Sequence, residues 1–399
     1  MPRNRLNPAP AIPLAGCADE ALAALAKLTA SSAIAQLDGA TLLGERAMLA
    51  GLRIPGRVAA GGSCHLLDAV GDTVALNLAR AEDRELLPAL FEADDLDAQD
   101  DAAIARRCAL RDAGALVARG RSMGLAMALE CEVPAAPANS CVELVAGSPA
   151  PPPARRAPRV LDLSALWAGP LAAHLLWLAG ADVVKVESRK RPDATRDGDR
   201  AFHALLNQGK ASVVLDFADA ADRRALLALI AASDIVIEAA RPRALEHLGI
   251  DAAHIVRTTP GLAWVTITGH GAEGEAAGWV GFGDDLGVAG GLSAALRAAT
   301  GQTGFVGDAI ADPLTGVTAA LVAWEAWTSR WGGRFGLSMS AIAAHCLAQA
   351  RAEDPGTLQA ALIAWGAAAG APFAEVRRRP VGRVARFGED TQAQLARVL

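Results

Sequence analysis

Between residues 160 and 268 short apolar runs alternate with helical segments, and this alternation constrains the fold more than any other feature of the chain. Residues 160–163, 183–186, 212–217, 234–238 and 262–268 read as strands. Helical patterns separate them: one from Pro170 to near Gly180, one over 221–232, and two short ones over 243–248 and 252–257. Pro in the first turn and Gly past the end mark the first of these. Strands joined through helices require right-handed crossovers. The expected fold is therefore α/β, with a doubly wound, mostly parallel Rossmann-like sheet. Sheets of this kind bind ligands beyond the carboxyl ends of their strands.

Upstream the pattern changes. Residues 147–158 carry Pro149, Pro151, Pro152 and Pro153, which disfavour both helix and central strand, and the segment reads as a semi-rigid linker. The expected organisation is a smaller α/β domain placed N-terminally over 1–146, this linker over 147–158, the Rossmann-like domain over 159–340 and a C-terminal tail or helical extension over 341–399. Within the first domain, 73–78 reads as a strand, 82–91 as a helix, 100–123 as a long helical region and 126–133 as a closing strand. The acidic patch around Asp94, Asp95 and Asp97 lacks the spacing and glycine of a calcium-binding loop and reads as solvated.

Composition narrows the function classes. The 399 residues suffice for two or three domains. A net charge of −6 argues against a nucleic-acid partner, which requires a basic face. The six cysteines are scattered, with no CxxC pair and no zinc-type spacing, so no metal site is expected. They read as buried free thiols in a reducing cytoplasm. No apolar run reaches membrane-spanning length and the N-terminus leads into no long apolar core, so a cytoplasmic protein without a membrane partner is expected.

Three segments carry candidate chemistry. In residues 307–316, Asp312 stands directly before Pro313 and a long small-and-apolar run follows. Asp before Pro marks a helix start, where the helix field favours the ionised form. Such a carboxylate is either a cap or a nucleophile, and the run alone leaves both open. The basic cluster Arg189, Lys190 and Arg191 follows a strand and reads as a phosphate clamp or as a solvated loop. Gly281, Phe282, Gly283, Asp284 and Asp285 precede a glycine-containing apolar segment, where the carboxylates orient a substrate or cap a helix. The turn Ser164–Pro170 is not GxGxxG, so a nicotinamide dinucleotide is poorly supported, although Gly169 and Pro170 still open a helix.

In order, Val160-Leu161-Asp162-Leu163-Ser164, Ala168-Gly169-Pro170, Gly180 to Glu187, Asn207 to Val213, Asp234 to Glu238, Leu245 to Ile250, Thr266 to Gly269 and Ala311 to Gly316 resemble the class III coenzyme A transferases of the CaiB/BaiF type. The resemblance covers roughly residues 159–340. It implies a CoA-binding domain with Asp312 as an aspartate nucleophile, and coenzyme A or acyl-CoA as substrate rather than as a permanently bound cofactor. It further implies Asp284, Gly281 and Gly283 at the catalytic site, the glycines as oxyanion candidates. CoA contacts are expected from Leu166, Trp167, Ala168, Arg189, Lys190, Arg191, Ala239, Arg241 and His247. The expected partners are an acyl-CoA and a carboxylic acid acceptor, in a homodimer to which the apolar segment from Trp324 to Gly333 contributes surface. Gly61 to His65 with Val74 to Leu78 and Arg84 to Leu90 resembles the family's smaller domain, here placed first, so the order is permuted.

Departures from the family pattern bear on function. Ala239-Ala240 replaces an Asn-Phe pair, Trp167 stands where some members carry a polar residue, and Phe282-Gly283-Asp284-Asp285 replaces Tyr-Asp. A 2-methylacyl-CoA racemase, also in the family, needs a His–Asp pair, and Phe282 occupies the matching His position. The alternatives are thus CoA transfer, racemisation, and non-catalytic CoA binding.

Overall fold

The computed structural model describes residues 9–132, 140–152, 157–240 and 242–399. Among the described residues there are ten strands: β1 Cys64–Asp68, β2 Thr73–Asn77, β3 Ala126–Leu129, β4 Cys141–Ala146, β5 Arg159–Asp162, β6 Asp182–Ser188, β7 Ala211–Leu215, β8 Ile235–Glu238, β9 Ala263–Thr268 and β10 Gly333–Ser338. The last seven form one sheet in the order β4-β10-β9-β8-β5-β6-β7. Every pairing in it is parallel except that of β4 with β10. From β5 the chain winds outward to β6 and β7 on one side, then returns to β8, β9 and β10 on the other. The reversal lies between β5 and β8, where a doubly wound sheet opens a crevice.

Both faces of this sheet are covered, which explains the near-continuous apolar runs. On one face Val160, Ile235, Ile237, Val265 and Ile267 pack against Leu171 and Leu175 of helix Ala168–Leu178 and Leu314 and Val317 of helix Ala311–Ser329. The two helices approach closely: a Cβ at Gly316 would lie 2.8 Å from the Ala168 carbonyl oxygen. On the other face Leu161, Val236 and Trp264 meet Leu226 and Ile230 of helix Ala220–Ala231.

The second sheet is antiparallel, β1-β2-β3. Alternation along its strands divides it between two cores. Val74, Leu76 and Met127 face a local core with Leu90, Phe91, Ile104 and Val117. Cys64, Leu66, Ala75 and Ala128 face the other way, onto Val288 and Ala289 of helix Gly283–Ala289. Small side chains on this side let the helix seat against the sheet.

Several expectations change. The region 100–123 is two helices, Asp101–Cys108 and Ala113–Ser122, because Asp112 starts the second by accepting from the Ala115 N–H at 2.9 Å. Strand β4 lies before the proline-rich segment yet pairs with β10, and helices Ala15–Thr29 and Gly39–Leu49 supply Leu22, Leu25, Leu42 and Leu43 to the core of the large sheet. Ser148 and Pro151 accept hydrogen bonds from Gly261 and Arg330, so the described part of the segment runs along the large sheet. Helix Met339–Glu353 crosses position 340 without a break. Val133 lies outside the described residues. The cysteines also differ from expectation: Cys17 and Cys346 form a disulfide that ties helix Ala15–Thr29 to helix Met339–Glu353, and Cys131 is exposed. Cysteine usage therefore gives no support to a reducing compartment. No helix among the described residues is long and apolar enough to cross a membrane. Trp324 and Trp327 are buried in the core and Trp331 alone of the three is exposed, so the segment offers no broad apolar face in support of the expected homodimer.

Beneath the carboxyl end of β5 lies a buried charged network. Lys210 Nζ donates to Asp162 Oδ2 at 2.8 Å and to Asn207 Oδ1 at 3.2 Å. Lys185 Nζ donates to the Ser164 carbonyl at 2.8 Å and lies 3.1 Å from Asp193 Oδ2. Burial opposes ionisation of Asp162, but Lys210 and Lys185 overcome it and hold the carboxyl at about 2; burial brings Lys210 down to about 8 despite Asp162. Replacing Asp162 by Ala leaves Lys210 without the carboxylate it bonds. Breaking a buried pair in this way costs about 3–5 kcal/mol, and Asp162→Ala is expected to show that loss in its urea unfolding midpoint. A midpoint unchanged from the parent protein would mean the network contributes nothing to stability.

Candidate active site

The site forms where three helix starts converge. Helix Ala168–Leu178 follows β5, helix Gly283–Ala289 carries the small sheet, and helix Ala311–Ser329 carries Asp312. Asp312 is not the N-cap: its own N–H donates to the Ala309 carbonyl at 2.9 Å, which places it inside the first turn. Its carboxylate is aimed across at the neighbouring helices. Oδ1 accepts from the Ala168 N–H at 3.3 Å, and the Gly283 backbone lies close against Oδ2 from the other side. A Cβ at position 283 would overlap both Asp312 Oδ2 and the Ala309 carbonyl, so only glycine permits this approach.

Electrostatics at Asp312 differ from the simple helix-field expectation. Burial raises its carboxyl to about 6, against the lowering effects of Arg46 and the Ala168 and Gly283 N–H groups. Desolvation therefore outweighs the field, although the group still ionises near neutrality. Asp284 is pushed up to about 7 by burial and by the Asp308 charge, with Arg46 opposing. Asp285 reaches about 7 through burial, offset in part by its bonds from Asn77 Nδ2 at 2.7 Å and the Phe282 N–H at 3.0 Å. The two adjacent aspartates thus diverge. Asp284 Oδ1 accepts from the Ala309 N–H at 2.9 Å and faces the Asp312 side, whereas Asp285 faces the small sheet.

Arg46, on helix Gly39–Leu49, was not singled out from the sequence. Its Nε donates to Asp308 Oδ2 at 2.8 Å, its Nη2 to Asp308 Oδ1, and its guanidinium lies 5.1 Å over the Trp167 ring. Asp308 is fully buried and is the ion-pair partner of Arg46. No spacing rule links Arg46 to a carboxylate 262 residues away.

Asp312 lies at the junction of two cavities. A smaller one, about 340 Å³, opens at the sheet crevice and is lined by Ala239, Ala240, Thr268, Gly269, Trp279 and Gly281. A larger one, about 630 Å³, is lined by Arg46, Ser63, Asn77, Trp167, Phe202 and Asp284. Asp312, Leu166, Phe282 and Arg80 line both. Of the expected CoA contacts, Leu166, Trp167, Ala168 and Ala239 border these cavities. Arg189, Lys190 and Arg191 are exposed at the end of β6 and line neither, with Lys190 placed 3.6 Å from Asp216. His247 is likewise exposed and away from both, because it ends helix Pro242–His247 on the surface. Arg241 lies outside the described residues. Gly281 borders the smaller cavity, while Gly283 packs against Asp312 itself. Among the described residues no group of His, Cys, Asp and Glu is arranged to hold a metal ion.

Residues 158–348 match the model of CoA-transferase family III. Succinate--glutarate CoA-transferase of Agrobacterium fabrum is 31% identical over 172 residues, 40% of this chain and 43% of the relative. Succinyl-CoA--D-citramalate CoA-transferase of Chloroflexus aurantiacus is 30% identical over 179 residues, 43% of this chain and 44% of the relative. Matches thus span less than half the length of these relatives. Among solved structures, the hypothetical protein Rv3272 of Mycobacterium tuberculosis aligns at 25% identity and a TM-score of 0.46, covering 51% of this chain and 61% of that one.

The close approach at residue 283 has a direct consequence. Gly283→Ala is expected to displace the Asp312 carboxylate, and a shift of about 1 Å at a reacting group lowers turnover about a hundredfold. Steady-state assays beside thermal melts check this: activity should fall far more than stability. Full activity would mean that the glycine contact does not place Asp312.

Proposed function

We propose that this protein transfers coenzyme A between carboxylic acids, with Asp312 as the covalent carrier. The observation that carries this reading is the position of Asp312: an ionisable carboxylate at the meeting point of two cavities, bonded by the Ala168 N–H and packed against Gly283. A cap buried inside a helix bundle needs no such access.

In the proposed cycle an ionised Asp312 oxygen attacks the carbonyl carbon of an acyl-CoA. The C–S bond breaks, CoA leaves as thiolate, and a mixed anhydride remains. The thiolate then attacks the aspartyl carbonyl, which breaks the anhydride C–O bond, releases the donor carboxylate and leaves an aspartyl-CoA thioester. An acceptor carboxylate attacks that thioester and displaces the thiolate. The thiolate attacks the acceptor acyl carbon and Asp312 is regenerated. No proton is gained or lost across the cycle, so no acid–base pair is required. The Ala168 N–H, and Arg46 beyond it, are placed to stabilise negative charge on the Asp312 carboxyl as it develops. The smaller cavity at the crevice suits the pantetheine arm and the larger one the acyl group. The racemase reading lacks its proton carrier, because Phe282 stands between the cavities.

Asp312→Asn keeps size and hydrogen-bonding shape but removes the anion. It should fold normally and abolish the hydroxylamine-sensitive CoA adduct seen by mass spectrometry after incubation with acyl-CoA thioesters. Turnover retained in folded Asp312→Asn protein would remove the nucleophile assignment, and deuterium exchange at the α-carbon without an adduct would favour racemisation.

The pH dependence follows from the raised carboxyl. Ionised Asp312 is the reactive form and its folded value is about 6. The rate kcat/KM for the donor thioester is therefore expected to fall as pH drops through about 6, approaching a tenfold loss per unit below it. A profile flat down to pH 4.5 would contradict the burial of this group.

A further inference from the structure

A further cavity shares no lining residue with the two that meet at Asp312. It measures about 220 Å³ and lies between helices Ser32–Ala35 and Gly39–Leu49, helix Ala168–Leu178 and residues 377–380. Leu37, Trp177, Leu178 and Pro380 give it an apolar wall, and His174 and Arg379 a polar one. Its acceptors are spent. Both Glu45 oxygens accept from Arg379, at 2.7 Å for Oε2, and both Asp38 oxygens accept from Thr41. Gln208 Oε1 accepts from the Gly382 N–H at 2.6 Å. Its donors are not spent. Arg379 gives Nε and Nη2 to Glu45, and its Nη1 has no partner among the described residues although the side chain is only 6% exposed. His174 is 1% exposed, and its Nδ1 also has no partner among the described residues. Arg377 is exposed and spends only Nη1, on the Gln36 carbonyl at 3.0 Å.

The imidazole is held in place. It stacks on Trp177, with ring centroids 5.4 Å apart and planes 29° apart. Burial, with the Arg379 and Lys210 charges, holds it well below the usual imidazole range, so the ring is neutral. A neutral imidazole carries one N–H, and in the Nδ1–H tautomer it offers that donor to the cavity. We propose that this cavity is a separate, non-catalytic binding site for a small monocarboxylate with an apolar body. The carboxylate takes Arg379 Nη1 and His174 Nδ1, and the body lies on Trp177 and Leu178. The assignment does not depend on the chemistry of Asp312. An apolar molecule would leave two buried donors unpaired, which is unfavourable. A phosphate would leave the apolar wall without a partner. The volume lies below the range of about 300–1,000 Å³ that takes drug-sized ligands, so coenzyme A does not fit.

Calorimetric titration with isovalerate tests the site, with isoamyl alcohol as the uncharged probe and inorganic phosphate as the anion without an apolar body. The parent protein should bind isovalerate at least about tenfold more tightly than either, the lower end for hydrogen bonds to a charged group. His174→Phe keeps a stacked ring and removes the donor, and should weaken isovalerate by about tenfold or more. Ala33 is exposed on its short helix and borders the cavity, so Ala33→Phe fills the space without disturbing the core. It should abolish isovalerate binding and leave the CoA adduct at Asp312 unchanged, and it decides the question even if His174→Phe does not fold. Equal binding of isoamyl alcohol would make the cavity merely apolar, and equal binding of phosphate would make it a general anion site. Either overturns the proposal. So does a parent protein that binds no isovalerate, whose cavity then holds water only. Binding retained in Ala33→Phe would place the carboxylate elsewhere and also overturn it.

Discussion

One guanidinium shared among three carboxylates governs the site. Arg46 pairs with Asp308, and its charge also acts on Asp284 and Asp312. Were all three acids ionised, a largely buried cluster would carry two uncompensated negative charges. Burial, with the Asp308 charge adding to it, raises Asp284 to about 7 and Asp312 to about 6, and Asp308 keeps the direct pairing with Arg46. The proposed nucleophile is therefore charged near neutrality, and no more stabilised than it must be. An aspartate held deep in its ionised form by a dedicated ion pair would be a poorer nucleophile. Here the ion pair is given to Asp308, four residues upstream in the bend before the helix.

This arrangement draws on the whole chain. Arg46 comes from the N-terminal helices, which pack into the core of the large sheet. The small sheet reaches the site from its own side. Its small residues Ala75 and Ala128 seat helix Gly283–Ala289, and Asn77 bonds Asp285 on that helix. The same short helix thus touches the small sheet at Asp285 and Asp312 at Gly283. A shift in the seating of the small sheet would move the backbone that packs against the proposed nucleophile. Both contributors precede β5 in sequence yet pack against the elements of the site in space.

Much of the large sheet was legible because β5, β6, β7, β8 and β9 are buried on both faces, and that writes continuous apolar runs. Strands β4 and β10 were not: β4 is an edge strand with a half-exposed pattern, and β10 carries Gly333 and Gly336, which weaken any strand signal. Asp312 was legible through its Asp-Pro context, but its place one step inside the helix was not, because the turn before it is set by Asp284 and Ala309 rather than by local propensity. Arg46 was invisible for a different reason. Its significance lies in which aspartate clamps it and which cavity it faces, and tertiary packing alone decides that. Conversely, Arg189, Lys190 and Arg191 formed a conspicuous cluster that the fold leaves on the surface, as a run of charges on a loop usually is.

The family motifs acquire a physical meaning at two strained residues. Leu166 and Ala309 adopt left-handed backbone angles, φ +68° and +43°, at positions where neither is glycine. Each such residue costs about 1–2 kcal/mol. Each lies two or three residues before a group of the site, Ala168 in one case and Asp312 in the other. In both, the strained N–H donates to an aspartate: Leu166 to Asp193 Oδ1 at 3.3 Å, Ala309 to Asp284 Oδ1 at 2.9 Å. Asp193 is held in turn by Lys185, which also binds the Ser164 carbonyl just upstream of Leu166. Residues such as Lys185 and Asp284 therefore act on the proposed nucleophile without touching it. They hold the two turns that aim one N–H and one carboxylate at each other, and this is why buried charges recur beneath a site whose ligand-facing walls are mostly apolar.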